Sequence, residues 1–550
     1  MKRIYRYIMI LLPLVTMGCS DYFDINRDPS RPTDVDIALL MPTVQLKGTA
    51  SLAQNEGLSQ LLATYTHQVS TRESANKYNA DGNDYVINTA WRVFYNDCLQ
   101  NLTTIIKKAE EDKDDVNLGI AKIMKAYYYS QWVDVFGDIP FSQANSFDKG
   151  ITQAKFDKDS EIYDELFTLL NDGIALLDET DNSTLSYDLI YKGDQSKWIK
   201  AANTIKLKLY NQIRLTKDVS AEINALLSAD KLISKTDESF MFKYGTSKSP
   251  DERNPAYLEY EATQKTNNIS PWFFEIMKGI NPVFAKIEDP RIPYYFYNQV
   301  SEKEATSVEN EYRYGGFISI YFGSDGPRVA LSKDKDYTMY GIYLCGGCYD
   351  DGSAKVVTGA SGSGDAPYRY LTYADRLYIE AELINAGVIT GNAADKLKAA
   401  MEESFKMVDY VVTNSKSGKD VPELSGTDAA KTYINKILAV FNAGNKDKQL
   451  EVIMTQKWIQ NYGNAVDQYT DYRRTGYPVM FDPKNPAHAP NGKVTPPAGG
   501  DPNEILPAVP VSCPKNYPVS LPYSNDDLSV NSNAPAQKND PSTAFVFWDK

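Results

Sequence analysis

The sequence is nearly without histidine: His67 and His488 are the two among 550 residues, and there are five cysteines. This supply leaves little room for histidine-based metal sites or for a nucleophile activated by histidine. No metal and no cofactor is therefore expected. A formal charge of −14 also argues against nucleic acid and against binding to anionic lipid through a basic surface, because both need clustered cations.

Catalytic signatures are missing as well. The segment 359–363, Gly-Ala-Ser-Gly-Ser, departs from a Gly-x-Ser-x-Gly motif at its last position. The chain has neither a phosphate-binding Gly-x-x-x-x-Gly-Lys loop nor a His-Glu-x-x-His pair. The sequence therefore predicts a protein that is not an enzyme.

Tyrosine, in contrast, is abundant, with 39 residues against 20 phenylalanines. A buried tyrosine must find a partner for its hydroxyl group, so a core selected for packing alone would favour phenylalanine. The surplus predicts aromatic rings at wet surfaces, and 14 of the 39 tyrosines fall in residues 217–369. Compositional drift is the alternative explanation.

The N-terminus has the features of an export signal. An apolar run at residues 8–17 follows Lys2, Arg3 and Arg6 and ends at Gly18-Cys19. The run is too short to span a bilayer of about 30 Å, and a small residue before a cysteine resembles a bacterial lipobox. We expect residues 1–18 to be a lipoprotein signal peptide and Cys19 to be acylated, which would anchor the mature chain to a membrane. An ordinary secretory signal with a chance cysteine is the alternative.

The rest of the chain reads as helix pairs. Apolar residues recur at helical spacing from Gly119 to Phe136, and Gly137 and Pro140 then end the helix. The same spacing predicts four pairs, at about 91–136, 160–215, 372–412 and 429–462. The predicted fold is mainly α, a stack of about four helical hairpins in which each hairpin buries one face on its neighbours.

Two segments interrupt this pattern. Residues 217–369, between the second and third pairs, are mixed and rich in loops. Residues 478–550 contain 14 of the 28 prolines and predict an extended tail that wraps the helical body.

Cys345-Gly-Gly-Cys348 is the sharpest local motif. A redox site would need a strand before it and a helix after it, and a zinc site would need two further ligands. The favoured interpretation is a disulfide between Cys345 and Cys348 that pins a tyrosine-rich loop. Cys98, on a helical stripe, is expected to be a buried free thiol.

Several short segments distributed along the chain form a recognisable series. In chain order they are Asp24-Ile-Asn26-x-Asp28-Pro29, Lys125-Ala-Tyr-Tyr128, Asp134-Val-Phe-Gly-Asp-Ile-Pro-Phe141, Trp198-x-Lys-Ala-Ala-Asn203, Asp289-Pro-Arg-Ile292, Thr372-Tyr-Ala-Asp375, Gln456-Lys-Trp458, Tyr472-Arg-Arg-Thr-Gly-Tyr-Pro478 and Pro518-Val-Ser-Leu-Pro-Tyr523. Together these segments resemble one family, the SusD/RagB outer-membrane lipoproteins. Most of them are interpreted as structural, and Arg473 and Arg474 as partners of buried carboxylates.

The resemblance implies a tetratricopeptide-like helical body, with residues 19–550 forming one domain. It also implies a cell-surface lipoprotein of the outer membrane that closes over a SusC-type TonB-dependent transporter. Members of the family typically bind oligosaccharides, and some bind peptides. We therefore expect a subunit that binds oligosaccharide nutrients and delivers them to such a transporter. A peptide-binding lid of a similar importer and a surface adhesin without transport are the alternatives.

Two stretches supply rings beside polar groups, as a sugar with an apolar face and a polar rim requires. They correspond to the regions from which the family draws its ligand contacts. The candidates are Arg72, Tyr78, Asn79, Tyr85 and Trp91 in the first stretch, and Trp272, Phe273, Tyr312, Tyr314 and Tyr321 in the second. For Trp91 a place in the core is the favoured interpretation, because this residue begins the apolar stripe of a helix. For Trp272 and Tyr314 a place in the core is the alternative. Asp81-Gly-Asn-Asp84 is interpreted as a polar turn, with a calcium site as the alternative.

Overall fold

The structure is a computed structural model that describes residues 35–55, 57–72, 78, 81–179, 184–326, 335–499 and 505–549. The predicted signal peptide, Cys19 and Asn79 lie outside these residues. The helices are α1 (Ile37–Leu52), α2 (Ser59–Tyr65), α3 (Tyr85–Arg92), α4 (Gln100–Asp112), α5 (Asp115–Phe136), α6 (Asp159–Asp178), α7 (Gln195–Ile213), α8 (Ser220–Ala229), α9 (Leu258–Glu261), α10 (Pro271–Lys278), α11 (Ile292–Tyr295), α12 (Glu302–Ala305), α13 (Ile342–Cys345), α14 (Tyr373–Asn385), α15 (Ala393–Asn414), α16 (Asp428–Ala443), α17 (Lys446–Gln460), α18 (Ala465–Thr475) and α19 (Asn525–Val530).

The strands are short: β1 (Val69–Thr71), β2 (Ile139–Pro140), β3 (Phe156–Asp157), β4 (Phe240–Phe242), β5 (Asn267–Ile269), β6 (Phe296–Tyr297), β7 (Tyr312–Tyr314), β8 (Phe317–Ser319), β9 (Met339–Tyr340), β10 (Tyr368–Leu371), β11 (Lys493–Val494) and β12 (Val509–Pro510). They form antiparallel pairs β1–β5, β2–β3, β4–β10, β6–β9, β7–β8 and β11–β12. None of the pairs extends into a larger sheet among the described residues, so helices make the body of the protein.

The four predicted helix pairs are confirmed. A π-helical segment, Val93–Leu99, joins α3 to α4, and this long helix packs against α5. The other pairs are α6 with α7, α14 with α15 and α16 with α17. Their starts are set by polar caps: Thr372 and Asp375 form a reciprocal capping box at α14, and the side chains of Asn392 and Asn445 accept backbone N–H groups at α15 and α17.

The apolar stripes of these helices meet in a continuous core. On α5, Ile120, Ile123, Met124, Tyr127 and Trp132 are each 0% exposed. No helix within the described ranges combines the length and the apolar character that crossing a membrane requires.

The tyrosine surplus has a different explanation from the one expected. Most tyrosines of residues 217–369 are buried. Five of them donate their hydroxyl groups to main-chain carbonyls of distant segments: Tyr257, Tyr260, Tyr294, Tyr297 and Tyr343. Tyr343 donates to Gln460 at 2.9 Å and Tyr294 to Pro422 at 2.7 Å. These tyrosines therefore pack and at the same time fasten loops that contain little regular structure, which phenylalanine could not do.

The predicted disulfide between Cys345 and Cys348 is not present: both cysteines are free. Cys345 ends the short helix α13, and its Sγ donates to the Gly341 carbonyl at 3.7 Å. The Sγ of Cys348 instead donates a hydrogen bond to the Ser361 carbonyl. The two thiols thus donate hydrogen bonds to different carbonyl groups. Cys98 is a buried free thiol, as expected.

The described parts of the tail, residues 478–499 and 505–549, contact the helical body. The Leu521 amide donates to the Val135 carbonyl at 2.9 Å, and the Trp548 indole N–H donates to Asp134 at 2.8 Å. The tail begins just after α18, whose C-terminal cap, Gly476, has a φ of +75°. Glycine adopts this left-handed backbone conformation more readily than other residues, so the chain can turn sharply there.

A buried ion cluster fixes the position of this turn. Glu382 of α14 accepts two hydrogen bonds from Arg474 of α18, one of them at 2.9 Å, and one from Arg214 after α7 at 2.8 Å. Burial alone would raise the pKa of Glu382, but the two guanidinium groups outweigh it and hold this pKa well below its ordinary value. Arg474 is therefore a partner of a buried carboxylate, as its motif predicts.

We expect Glu382→Gln to lower the free energy of unfolding by about 3–5 kcal/mol, because it leaves the Arg214 guanidinium without a counter-charge and the buried Arg474 guanidinium with Asp471 alone. Urea unfolding followed by circular dichroism measures the change. Glu402→Gln is the matched control, since Glu402 and Lys398 form an exposed pair at 3.6 Å whose loss should cost less than about 1 kcal/mol. Equal effects of the two substitutions would contradict a structural role for the cluster.

Candidate functional site

A cleft of about 520 Å³ opens where the tail passes the insertion. Its walls come from α10, from the residues just after β8, from the start of α17 and from tail residues 479–495. Five rings line it, and a carboxylate and an ion pair accompany them. The rings are those of Trp272, Tyr321, Phe322, Phe481 and His488. A concave site with several rings and few polar groups is typical of small-ligand binding.

Trp272 connects the two sides of the cleft. Ser270 and Pro271 start α10, because proline fits the first position of a helix, and they place Trp272 in its first turn. The indole N–H donates to the Val479 carbonyl of the tail at 2.9 Å. The ring is half-buried, with centroids 5.7 Å from Phe481 and 4.9 Å from His488. Its orientation is therefore fixed before any ligand arrives.

Both histidines of the chain lie near Phe481, His488 in the wall of the cleft and His67 in the core. The ring centroids of His67 and His488 are 6.3 and 6.1 Å from that of Phe481. Burial and the neighbouring His488 lower the pKa of His67 to about 3, and its Nε2 is hydrogen-bonded to the Tyr78 hydroxyl at 2.7 Å. Burial also lowers the pKa of His488. At neutral pH both rings are uncharged, and His488 presents a polar aromatic surface to the cleft while His67 is buried behind it.

The tautomer of His488 follows from its hydrogen bond. Its Nδ1 accepts the Asp482 amide N–H at 3.0 Å, so the proton of the neutral ring is on Nε2. The ring thus keeps one N–H donor at the cleft.

Glu275 brings a carboxyl group to the same cleft. It follows Trp272 by three residues on α10, which puts the two side chains on one helix face. Loss of surrounding water raises the pKa of Glu275 to about 7, and the hydroxyl of Tyr312 opposes this shift in part. A second carboxylate, Glu451, is paired with Lys448 at 2.9 Å. The carboxyl group of Glu275 is thus the group whose charge changes near neutral pH.

Of the five candidates in the second predicted stretch, some line this cleft and the others do not. Trp272 and Tyr321 line it. Phe273 and Tyr312 do not, because both are 0% exposed and lie within the core beneath it. Tyr314, on the β7–β8 hairpin, is half-buried against Phe274 and Lys278 and is not part of the cleft wall.

The first predicted stretch does not form one surface with the second. Arg72 is buried and donates to Gln264 at 3.3 Å. Tyr78 lies behind the cleft, where it contacts His67 and Tyr517. Tyr85 is 80% exposed at the start of α3, and Trp91 is in the core against Trp132 and Phe136. Trp91 is therefore a residue of the core and does not line the cleft.

The acidic segment 81–84 is a turn. The Asn83 amide donates to Asp81 at 2.8 Å, and Asp84 caps α3 by accepting the Val86 amide at 2.9 Å. Across the described ranges no group of three or more histidine, cysteine or acidic side chains could hold a metal ion. The carboxylates of Asp81 and Asp84 thus accept hydrogen bonds from backbone N–H groups of the protein.

Sequence reasoning missed Glu275, Phe322, Phe481 and His488. A helical reading of α10 could have found Glu275, since it lies three residues after Trp272. The scarcity of histidine also singles out His488. Phe481 and His488 are 200 residues or more away from Trp272 along the chain, and no local pattern shows that the tail lies against α10.

Glu275→Gln should stabilise the protein at high pH. The pKa of Glu275 rises from an ordinary 4.5 to about 7 on folding, so its protonation supports the folded state below about pH 4.5 and this support is lost as the pH rises through 7. We expect the variant to exceed the parent by about 1–2 kcal/mol in free energy of unfolding at pH 8, after allowance for partial exposure, and to match it near pH 4.

Chemical unfolding over this pH range measures the difference, with Glu423→Gln, at an exposed loop position, as the control. A difference between variant and parent that does not change with pH would show that the Glu275 carboxyl group titrates normally.

Comparison with known proteins gives the family. Residues 29–498 match a SusD-like family described as starch-binding and associating with the outer membrane. No curated protein matches the chain.

Solved structures show a similar fold. A chitin-binding protein superposes with a TM-score of 0.68 at 20% identity, covering 94% of this chain and 100% of its own. A SusD homologue from Bacteroides fragilis NCTC 9343 has a TM-score of 0.63 at 20% identity, with 90% and 94% of the two chains covered. A SusD/RagB family protein from Bacteroides thetaiotaomicron VPI-5482 has a TM-score of 0.65 at 19% identity, with 94% and 99% covered. The helix-pair fold and the family match over most of the sequence agree: the chain belongs to the SusD-like family of starch-binding proteins that associate with the outer membrane.

Proposed function

We propose that this protein is a cell-surface lipoprotein that binds oligosaccharide nutrients in the cleft at Trp272 and delivers them to a SusC-type TonB-dependent transporter. It binds without chemical conversion of the ligand. The observation that carries the proposal is the half-buried ring of Trp272 on α10. Its indole N–H donates a hydrogen bond to the Val479 carbonyl of the tail, which fixes the ring in the cleft. The family match supports the assignment to nutrient binding at the outer membrane.

The cleft suits a sugar for physical reasons. The C–H face of a pyranose ring is apolar and stacks on an indole or phenol ring, while its hydroxyl groups need a small number of fixed polar partners. Trp272 and Tyr321 supply rings, and Glu275, His488 and the Lys448–Glu451 pair supply polar groups. Because Trp272 is already fixed, little side-chain entropy is lost on binding.

Delivery to a transporter requires that the protein stay at the membrane. The predicted acylation of Cys19 would provide this anchor, and a multiply acylated cysteine is retained far more firmly than a single chain. A chitin-binding protein among the structural neighbours is in keeping with a polysaccharide-derived cargo. The transporter is the partner that the family assignment suggests.

Trp272→Ala should weaken oligosaccharide binding by about tenfold or more, because it removes a stacking surface worth at least about 1.4 kcal/mol. A panel of neutral oligosaccharides, screened as an array and measured by isothermal titration calorimetry, tests this. Tyr85→Ala is the control, since this ring is 80% exposed and outside the cleft.

Full binding by Trp272→Ala together with a loss in Tyr85→Ala would move the site to the first stretch. Binding of peptides and of no glycan would replace the oligosaccharide by a peptide cargo.

Cys19→Ser should abolish membrane retention, because the anchor depends on a thioether to this cysteine. Fractionation of cells that express the parent and the variant, followed by immunoblotting of membrane and soluble fractions, measures the change. Cys98→Ser is the control for loss of a thiol elsewhere. Retention of Cys19→Ser in the outer membrane would contradict the lipoprotein assignment.

A further inference from the structure

Glu275 is a carboxyl group among rings without a basic partner. Within the part of the chain that the structure describes, no lysine or arginine forms an ion pair with it. Lys278, on the same helix, pairs with Glu288 at 2.6 Å. Lys448, at the rim of the cleft, pairs with Glu451 at 2.9 Å. The lysine on its own helix and the lysine in the cleft wall therefore already form ion pairs with other carboxylates.

The charge of the cleft follows from these pairs. Lys448 and Glu451 cancel, and His488 is uncharged at neutral pH. The ionised form of Glu275 thus leaves the lining of the cleft with one net negative charge. A ligand carboxylate or phosphate would be repelled, whereas a cation would gain a counter-charge.

The rings around Glu275 favour the same kind of ligand group. The face of an indole or phenol ring carries negative electrostatic potential and attracts an ammonium group placed over it. Trp272 lies on the same helix face as Glu275, and the negative charge of Glu275 acts on Tyr321, where it adds to burial in raising the pKa of that phenol. One ammonium group can therefore lie over a ring face and at the same time donate a charge-assisted hydrogen bond to the Glu275 carboxylate.

We propose that the cleft selects oligosaccharides with a free, unacetylated amino sugar, whose ammonium group is bound by Glu275 beside the rings of Trp272 and Tyr321. The inference rests on the oligosaccharide-binding function proposed above and names the class of its ligand. A hydroxyl or acetamide group in place of the ammonium would still allow the sugar to stack on the rings, but it would not use the charge of Glu275.

Three tetrasaccharides with the same β-1,4 linkage provide the test, since they differ only at carbon 2: glucosamine with an ammonium group, N-acetylglucosamine with an acetamide, and glucose with a hydroxyl. Calorimetric titration of the full-length protein in detergent at neutral pH should show the glucosamine tetramer binding about fivefold or more tightly than the other two. Glu275→Gln should abolish this preference and leave the glucose tetramer unaffected. Glu423→Gln, which removes a carboxylate at an exposed loop position outside the cleft, should keep the preference.

Several results would overturn the amino-sugar proposal. These are equal binding of the three tetramers, tighter binding of the acetylated one, no binding of the glucosamine tetramer, or a preference that persists in a folded Glu275→Gln variant. Tighter binding of a tetralysine peptide than of any tetramer would assign the ammonium site to peptides. Binding of neutral glycans that is lost in Trp272→Ala would leave the oligosaccharide function standing without the amino preference, whereas failure of all glycans in the wider panel would overturn both.

Discussion

The structure depends above all on the buried carboxylate of Glu382. In a low-dielectric interior a carboxylate keeps its charge only when donors occupy its oxygen atoms, and here Arg474, Arg214 and Asn211 do so. These residues belong to or adjoin α14, α18 and α7, so three helices that are distant in sequence have to meet at one point. The turn at Gly476 comes two residues after Arg474. The direction in which the tail leaves the helical body is therefore tied to this cluster.

The cleft is a consequence of that direction. The tail carries the Val479 carbonyl, Phe481 and His488 to the surface of α10, where the Trp272 indole N–H donates to Val479 at 2.9 Å. Neither the insertion nor the tail forms the cleft alone. A site built at such a junction can be rigid although its walls have little regular structure, because each wall is held by hydrogen bonds to the other or to the core.

The rare and the abundant residue types have different uses in this protein. Both histidines lie beside Phe481 with pKa values below the ordinary one, so they are neutral rings and not charged groups. Most tyrosines of the insertion are buried, and several of them connect loops through hydrogen bonds from the hydroxyl group to main-chain carbonyls, as in Tyr343 and Gln460. The count of tyrosines therefore says little about the ligand, whereas the position of one tryptophan and one glutamate on a short helix says a good deal.

The sequence by itself determined the helix pairs and the family. It also indicated that Arg474 pairs with a buried carboxylate, without showing which one. Helical periodicity and polar caps act over a few residues, which is why α5 and α14 could be placed within a few positions. It also indicated Trp272 and Tyr321. Only the tertiary structure decided which rings share a cleft, because Phe273 and Tyr312 differ from them in burial and not in local pattern. Likewise, the approach of Phe481, His488 and Glu275 depends on where the tail packs after Gly476, and packing between segments 200 residues apart leaves no trace in local spacing.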